Sequence, residues 1–147
     1  MRAFGQQIPP MRIRGFSYQN RRYVHLDSIM IGAFLDQICP YSKASWPSLK
    51  QAADFYPSHL SLVVHLFPLP YHDNAFAVSR ALHTVNMMTA SATFPMLEEF
   101  FKHQERFNHN ETRHLSRTSI VNEIVKFTTG VLGDSYEIMK KQDCPLR

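Results

Sequence analysis

Cysteine is scarce in this chain of 147 residues: Cys39 and Cys144 are its only two. They lie too far apart in sequence to form a local pair and are too few for a disulfide framework, so counting them does not decide the redox compartment. Long apolar runs are lacking as well. The strongest, residues 60–69, is broken by Ser61, His65 and Pro68 and falls far short of a membrane span, so none is expected. Arg2, Gln6, Gln7, Arg12, Arg14, Arg21 and Arg22 interrupt the first 26 residues, and no export signal is visible there. Charge of one sign does not dominate. Sixteen basic against twelve acidic residues give +4, and only Arg12, Arg14, Arg21 and Arg22 gather near one another. That pattern reads as a solvated surface, and no nucleic-acid partner is expected. Eight histidines raise the question of a metal, around His65, His72 and Asp73 or around His103, His109 and His114. No pair has the i, i+4 spacing with an acidic partner on one helical face, so no metal site is expected. His65 reads as a satisfied core residue. Internal repeats and low-complexity segments are absent.

What is present is enough apolar residue, 44%, for one domain with a real core. Residues 1–13 read as a disordered entry, residues 14–141 as a single domain and residues 142–147 as a tail. Short aromatic and β-branched groups at residues 14–18 and 23–26 suggest an edge strand or hairpin. Residues 29–35 are continuously apolar, which suits a strand buried on both faces of a parallel sheet. A helix is predicted from Pro40, at the first helical position, to about Tyr56, where Pro57 stops it. Pro47 inside it should kink it. Residues 60–67 form the second strand, so strand, helix and strand make a right-handed βαβ unit.

Beyond Pro68 the pattern becomes helical. Asp73 or Asn74 is the predicted cap of a helix with the stripe Val78, Ala81, Leu82, Val85 and Met88. Thr93 caps the next, with Pro95 in its first turn, Glu98 and Glu99 near its positive end, and Leu97, Phe100 and Phe101 buried. Ser116 starts a third, with Ile120, Val121, Ile124 and Val125 on one side and Gly130 as its stop. Residues 134–141 form a short fourth.

Within this frame Cys39-Pro40-Tyr41-Ser42 carries the chemistry. A thiol at the first turn of a helix that follows a buried strand meets unpaired backbone N–H groups and the positive end of the helix dipole, both of which favour the thiolate. Cys39 is the candidate nucleophile, with a buried structural cysteine as the competing reading. Ser42 stands where a dithiol motif would carry its second sulfur. Its hydroxyl would either stabilise the thiolate or satisfy the helix start. Pro40, Tyr41 and His72 are the candidate substrate contacts. His72 and Asp73 follow the carboxyl end of a parallel strand, the edge where ligands of open α/β sheets collect, although capping alone would account for Asp73. Cys144 reads as a free thiol.

These residues resemble a known family. A strand, Cys39-Pro40-Tyr41-Ser42 at a helix start, Pro47 eight positions on, a second strand and a run of helices look like the DsbA-like branch of the thioredoxin superfamily. Phe34-Leu35-Asp36, Trp46-Pro47 and the stretch from Val63-Val64-His65-Leu66 through Pro70-Tyr71-His72-Asp73-Asn74-Ala75-Phe76 are similar to a plant group of such proteins. The resemblance spans residues 14–141 and implies an α/β fold with a thioredoxin-like core at 14–70 and a helical insertion at 73–141. In that family a cis-proline loop and further strands follow. Here the only prolines after Pro70 are Pro95 and Pro145, neither before a strand, so the expectation is an incomplete thioredoxin-like fold: either a marginally stable domain or one completed by another chain, with self-association through an exposed sheet edge, or equally a truncated product or gene model.

The resemblance implies thiol–disulfide exchange, and Ser42 makes it a monothiol mechanism resolved by glutathione or by a protein thiol; no bound cofactor is implied. A non-catalytic thioredoxin-like module that binds proteins and a kappa-class-like glutathione transferase using Ser42 are the alternatives. The family resemblance also suggests the secretory pathway.

Overall fold

A computed structural model of the chain describes residues 14–18 and 28–142, with side chains described as far as Gly133. The readings for residues 1–13, 23–26 and Cys144 lie outside the described residues. Three strands, β1 (Phe16–Ser17), β2 (Ile29–Leu35) and β3 (Leu60–Leu66), form one sheet in the order β1-β3-β2. β2 and β3 run parallel from Ile29 opposite Leu60 to Leu35 opposite Leu66, and β1 lies antiparallel to β3. The connection between the parallel strands is the helix α1 (Pro40–Phe55), so the expected strand–helix–strand unit is present. The remaining helices are α2 (Ala75–Met88), α3 (Thr93–Lys102), the single turn α4 (His109–Thr112) and α5 (Arg117–Gln142). The molecule is thus mixed α/β. Among the described residues no helix is long and apolar enough to cross a membrane.

One face of the sheet is covered. Ala33, Leu35, Leu62 and Val64 point into a core shared with Trp46 of α1, Val78 and Leu82 of α2, Met96, Leu97 and Phe100 of α3, and Ile124 and Phe127 of α5. The other face of β2 is open: Met30 is 50% and Phe34 65% exposed. This corrects the expectation of a strand buried on both faces. An unbroken apolar run does not alternate, so it carries no sign of which face is left open. His65 is corrected with it, since it lies on the outer face stacked on Phe34 with ring centroids 4.8 Å apart. Beside β3 the outer face is approached by the backbone of Gly15, at φ 122°, where a Cβ would come within 2.9 Å of the His65 ring and of Val63. Only glycine fits that approach.

α1 continues through Pro47. Pro47 cannot donate to the Lys43 carbonyl, but both residues are exposed, so water can take that acceptor. The predicted caps of α2 and α3 are corrected. Asn74 is the N-cap of α2 by position but makes no side-chain cap bond; its amide instead donates to Phe107 O and Thr112 Oγ1, both at 2.8 Å. Thr93 is already inside α3 and donates its hydroxyl to Asn86. Ser116 does cap α5, accepting the Ser119 N–H at 3.1 Å. Gly130 does not stop that helix, and the separate helix at 134–141 is its continuation. Ile120, Ile124, Phe127 and Val131 keep one apolar stripe running past the glycine, so packing overrides a propensity loss of about 1 kcal/mol. Val121, Val125 and Met88, expected on buried stripes, are exposed.

Trp46, the one tryptophan, locks α1 to α3. Its ring lies 5.8 Å from Phe94 and nearly parallel to it, with Tyr18 edge-on at the same distance. Its N–H donates to Glu98 Oε1 at 3.1 Å, where Lys50 Nζ also binds at 2.6 Å. The Glu98 hydrogen bond holds the Lys50 ammonium above its ordinary 10.5, and burial together with the Asp54 carboxylate raises the Tyr18 phenol. The Lys50 contribution is therefore fully present below its unfolded value and disappears as pH rises through the higher folded one. At 40% exposure it is small.

We predict that Glu98→Ala lowers stability by about 1–2 kcal/mol, mostly by leaving the buried indole N–H unpaired, whereas Glu98→Gln retains most of it. Urea unfolding followed by Trp46 fluorescence measures both.

Candidate functional site

The carboxyl end of β2 delivers Asp36, a 1% exposed carboxylate, into the turn before α1. Its Oδ1 accepts the Ile38 N–H at 2.8 Å, closing an Asx-type turn. Its Oδ2 accepts the Leu69 N–H at 2.9 Å and lies 2.8 Å from His72 Nδ1. With its proton on that nitrogen, the His72 ring donates as well. The backbone of Asp36 is also committed: its N–H donates to Ser42 Oγ at 3.1 Å, and its carbonyl accepts the Cys39 N–H at 3.1 Å. One residue thereby ties the end of β2, the first turn of α1 and the loop that follows β3.

Gln37, fully buried, fastens the same turn to the helices. Its side-chain oxygen accepts the Ser79 hydroxyl of α2 at 2.9 Å. The Gln104 amide, in the 3-10 turn after α3 (Gln104–Phe107), donates to both the Gln37 and the Cys39 carbonyls at 2.9 Å. Gln37 Nε2 is buried without a hydrogen-bond partner.

Cys39 sits between these clamps as the N-cap of α1, in extended conformation and 6% exposed. Its carbonyl starts the helix by accepting the Lys43 N–H. Its sulfur caps no amide: the helix has no side-chain cap bond and no acidic residue in its first turn, and Pro40 contributes no N–H. The expected hold of the helix amides on the sulfur is therefore not a hydrogen bond in this arrangement; what remains is the position at the positive end of the helix. Ser42 satisfies the Asp36 amide with its hydroxyl.

The other candidates divide. Pro40 and His72 line a cleft of about 470 Å³ together with Lys43, Tyr71, Gln104 and His109. Cys39, Tyr41 and Ser42 are not among its lining residues, and Tyr41 projects into solvent at 84% exposure. His72 is 20% exposed at its side chain and faces the edge ring of Tyr71 at 4.7 Å. Asp73, expected to cap α2, pairs with the His109 ring at the rim of the cleft. Among the described residues no group of three or more His, Cys, Asp or Glu could hold a metal ion.

Sequence reasoning missed the roles of Asp36, Gln37, Ser79 and Gln104. For Asp36 a signal existed, an acidic residue directly after a buried strand and two positions before a turn amide. For Gln104 there was none, because its partners are carbonyls more than sixty positions away. No protein-family model, no curated protein and no solved structure matches this chain.

Replacing Asp36 by Asn leaves one acceptor for three donors and sets an amide against at least one of them. The expected loss is about 3 kcal/mol, against about 1 kcal/mol for Ser42→Ala, which frees only the Asp36 N–H. Equilibrium unfolding of the two variants checks the order.

Proposed function

We propose that this chain carries the strand–helix–strand part of a DsbA-like thioredoxin fold and takes part in thiol–disulfide exchange through Cys39 as a single local thiol. The observation that carries this reading is the place of Cys39: N-cap of a 16-residue helix, directly after the carboxyl end of a parallel strand. There the unpaired amide end of the helix favours negative charge on the sulfur once a substrate approaches. In the forward step the Cys39 thiolate attacks one sulfur of a substrate disulfide, forming a mixed disulfide and releasing the other sulfur as thiolate. With Ser42 in place of a second thiol, a glutathione thiolate then attacks the substrate sulfur of that mixed disulfide. The substrate leaves joined to glutathione, and Cys39 returns as thiolate. Burial sets the rate. The turn that holds Cys39 has to open, against the Gln104 hydrogen bonds to the Gln37 and Cys39 carbonyls, before a disulfide reaches the sulfur in line.

A non-catalytic thioredoxin-like module is the second reading, favoured by the 6% exposure of Cys39 and by the engagement of the Ser42 hydroxyl with the Asp36 amide. In a Cys144→Ser background the two separate cleanly. Exchange through Cys39 requires that glutathione-dependent reduction of a disulfide substrate fall to background on Cys39→Ser, and that Gln104→Ala speed alkylation of native Cys39 by roughly 10-fold, the effect of losing about 1.4 kcal/mol of restraint. Equal reduction by the parent and Cys39→Ser proteins contradicts the enzymatic reading and leaves the binding module.

A further inference from the structure

The flanking hydrogen bonds fix which side of β2 faces its neighbour. Ile29 N–H donates to His59 O at 2.7 Å, and Leu35 O accepts the Phe67 N–H at 2.9 Å, so the odd-numbered residues of β2 bond to β3. The N–H and C=O groups of Met30, Gly32 and Phe34 therefore point to the opposite edge, which pairs with no strand among the described residues. Three of the usual protections of such an edge are missing from the strand itself: from Ser28 to Leu35 there is no charge, no proline and no bulge. Asp36, just past the carboxyl end of the strand, is buried in its own hydrogen bonds.

From this edge we infer that the chain associates with a second copy of itself by antiparallel pairing of β2 with β2 about a two-fold axis at Gly32. The sequence of the strand is close to self-complementary in that register. Gly32 meets Gly32 of the second copy, and Met30 meets Phe34, each of these being an outward-facing residue that can exchange both backbone bonds with its opposite number. On the open face the thioether lies across from the aromatic ring, a favourable cross-strand pair. On the covered side Ile31 falls opposite the small Ala33, and the exposed Ile29 falls opposite Leu35, which stays in its own core. Pairing of like with like also satisfies two-fold symmetry without a second kind of surface.

The side-chain area is that of a weak, transient contact. Ile29, Met30 and Phe34 are 68%, 50% and 65% exposed. At roughly 200 Å² for a large side chain this is about 370 Å² per copy, to which the backbone ladder adds, at the low end of the range for specific interfaces. The absence of charge on the strand means no like charges meet across the axis, so the net +4 of the chain acts only at longer range. So small an area places the pairing among weak, concentration-dependent associations.

Sedimentation velocity of the full chain, with both cysteines kept reduced and over roughly 1–300 µM, should show a monomer–dimer equilibrium. Met30→Lys should weaken it at least 10-fold. Adding Phe34→Glu should restore it, because the antiparallel register sets each introduced lysine against an introduced glutamate. Both side chains are exposed, so neither change disturbs the core. On the unmodified chain, the amides of Met30, Gly32 and Phe34 should exchange more slowly as concentration rises. A monomer throughout, a dimer indifferent to Met30→Lys, a double variant that fails to recover, or edge amides whose exchange ignores concentration would each overturn the proposal.

Discussion

The buried carboxylate of Asp36 is the constraint on which the arrangement around Cys39 depends. It is removed from water, so it must be satisfied, and the donors that satisfy it come from three separate places: the Ile38 amide in the turn before α1, the Leu69 amide after β3 and the His72 ring. An isolated buried charge would cost several kcal/mol. Each donor is therefore held because the others are incomplete without it, and the two parallel strands are joined at their carboxyl ends by more than their ladder. The position of Cys39 at the helix start is a consequence: its N–H is bound by the Asp36 carbonyl, and the hydroxyl three residues on by the Asp36 amide.

A second consequence concerns access. The restraint that positions the sulfur also encloses it, because Gln104 reaches across from the turn after α3 to bind the carbonyls on either side of Ile38. Position and exposure are thus set by the same hydrogen bonds and pull in opposite directions for chemistry. The sheet has the contrary character: its helices cover one face, while β2 leaves Met30, Phe34 and a row of backbone groups without a strand beside them among the described residues. A tightly clamped turn thus follows the carboxyl end of β2, while the strand's own length carries an edge that pairs with no strand among the described residues.

Much of this was legible in the sequence. Apolar runs of strand length flanking a proline-started helix gave β2, α1 and β3, since length and punctuation survive whatever packs around them. The buried stripe of α3 followed from the spacing of Leu97, Phe100 and Phe101. What could not be read were the outcomes of competition. Asn74 had a capping position open to it but found Phe107 O and Thr112 Oγ1 instead. Gly130 has the chemistry of a stop, yet the stripe through Phe127 and Val131 carries the helix past it. The open face of β2 left no mark because Met30 and Phe34 are as apolar as Ala33 and Leu35. At the site, Cys39 and Pro40 stand where the helix start was expected and His72 stands near them, but the residue that organises them, Asp36, drew notice only as a neighbour of the motif.

The most direct test of this account is native-state amide exchange at Ile38 and Leu69, the two backbone groups that share the Asp36 carboxylate. If that carboxylate joins the two loops, both amides exchange with one common opening free energy, and in Asp36→Asn both lose protection together while Trp46 stays packed. Ile38 and Leu69 amides that open independently of each other, or that keep their protection in Asp36→Asn, would contradict it.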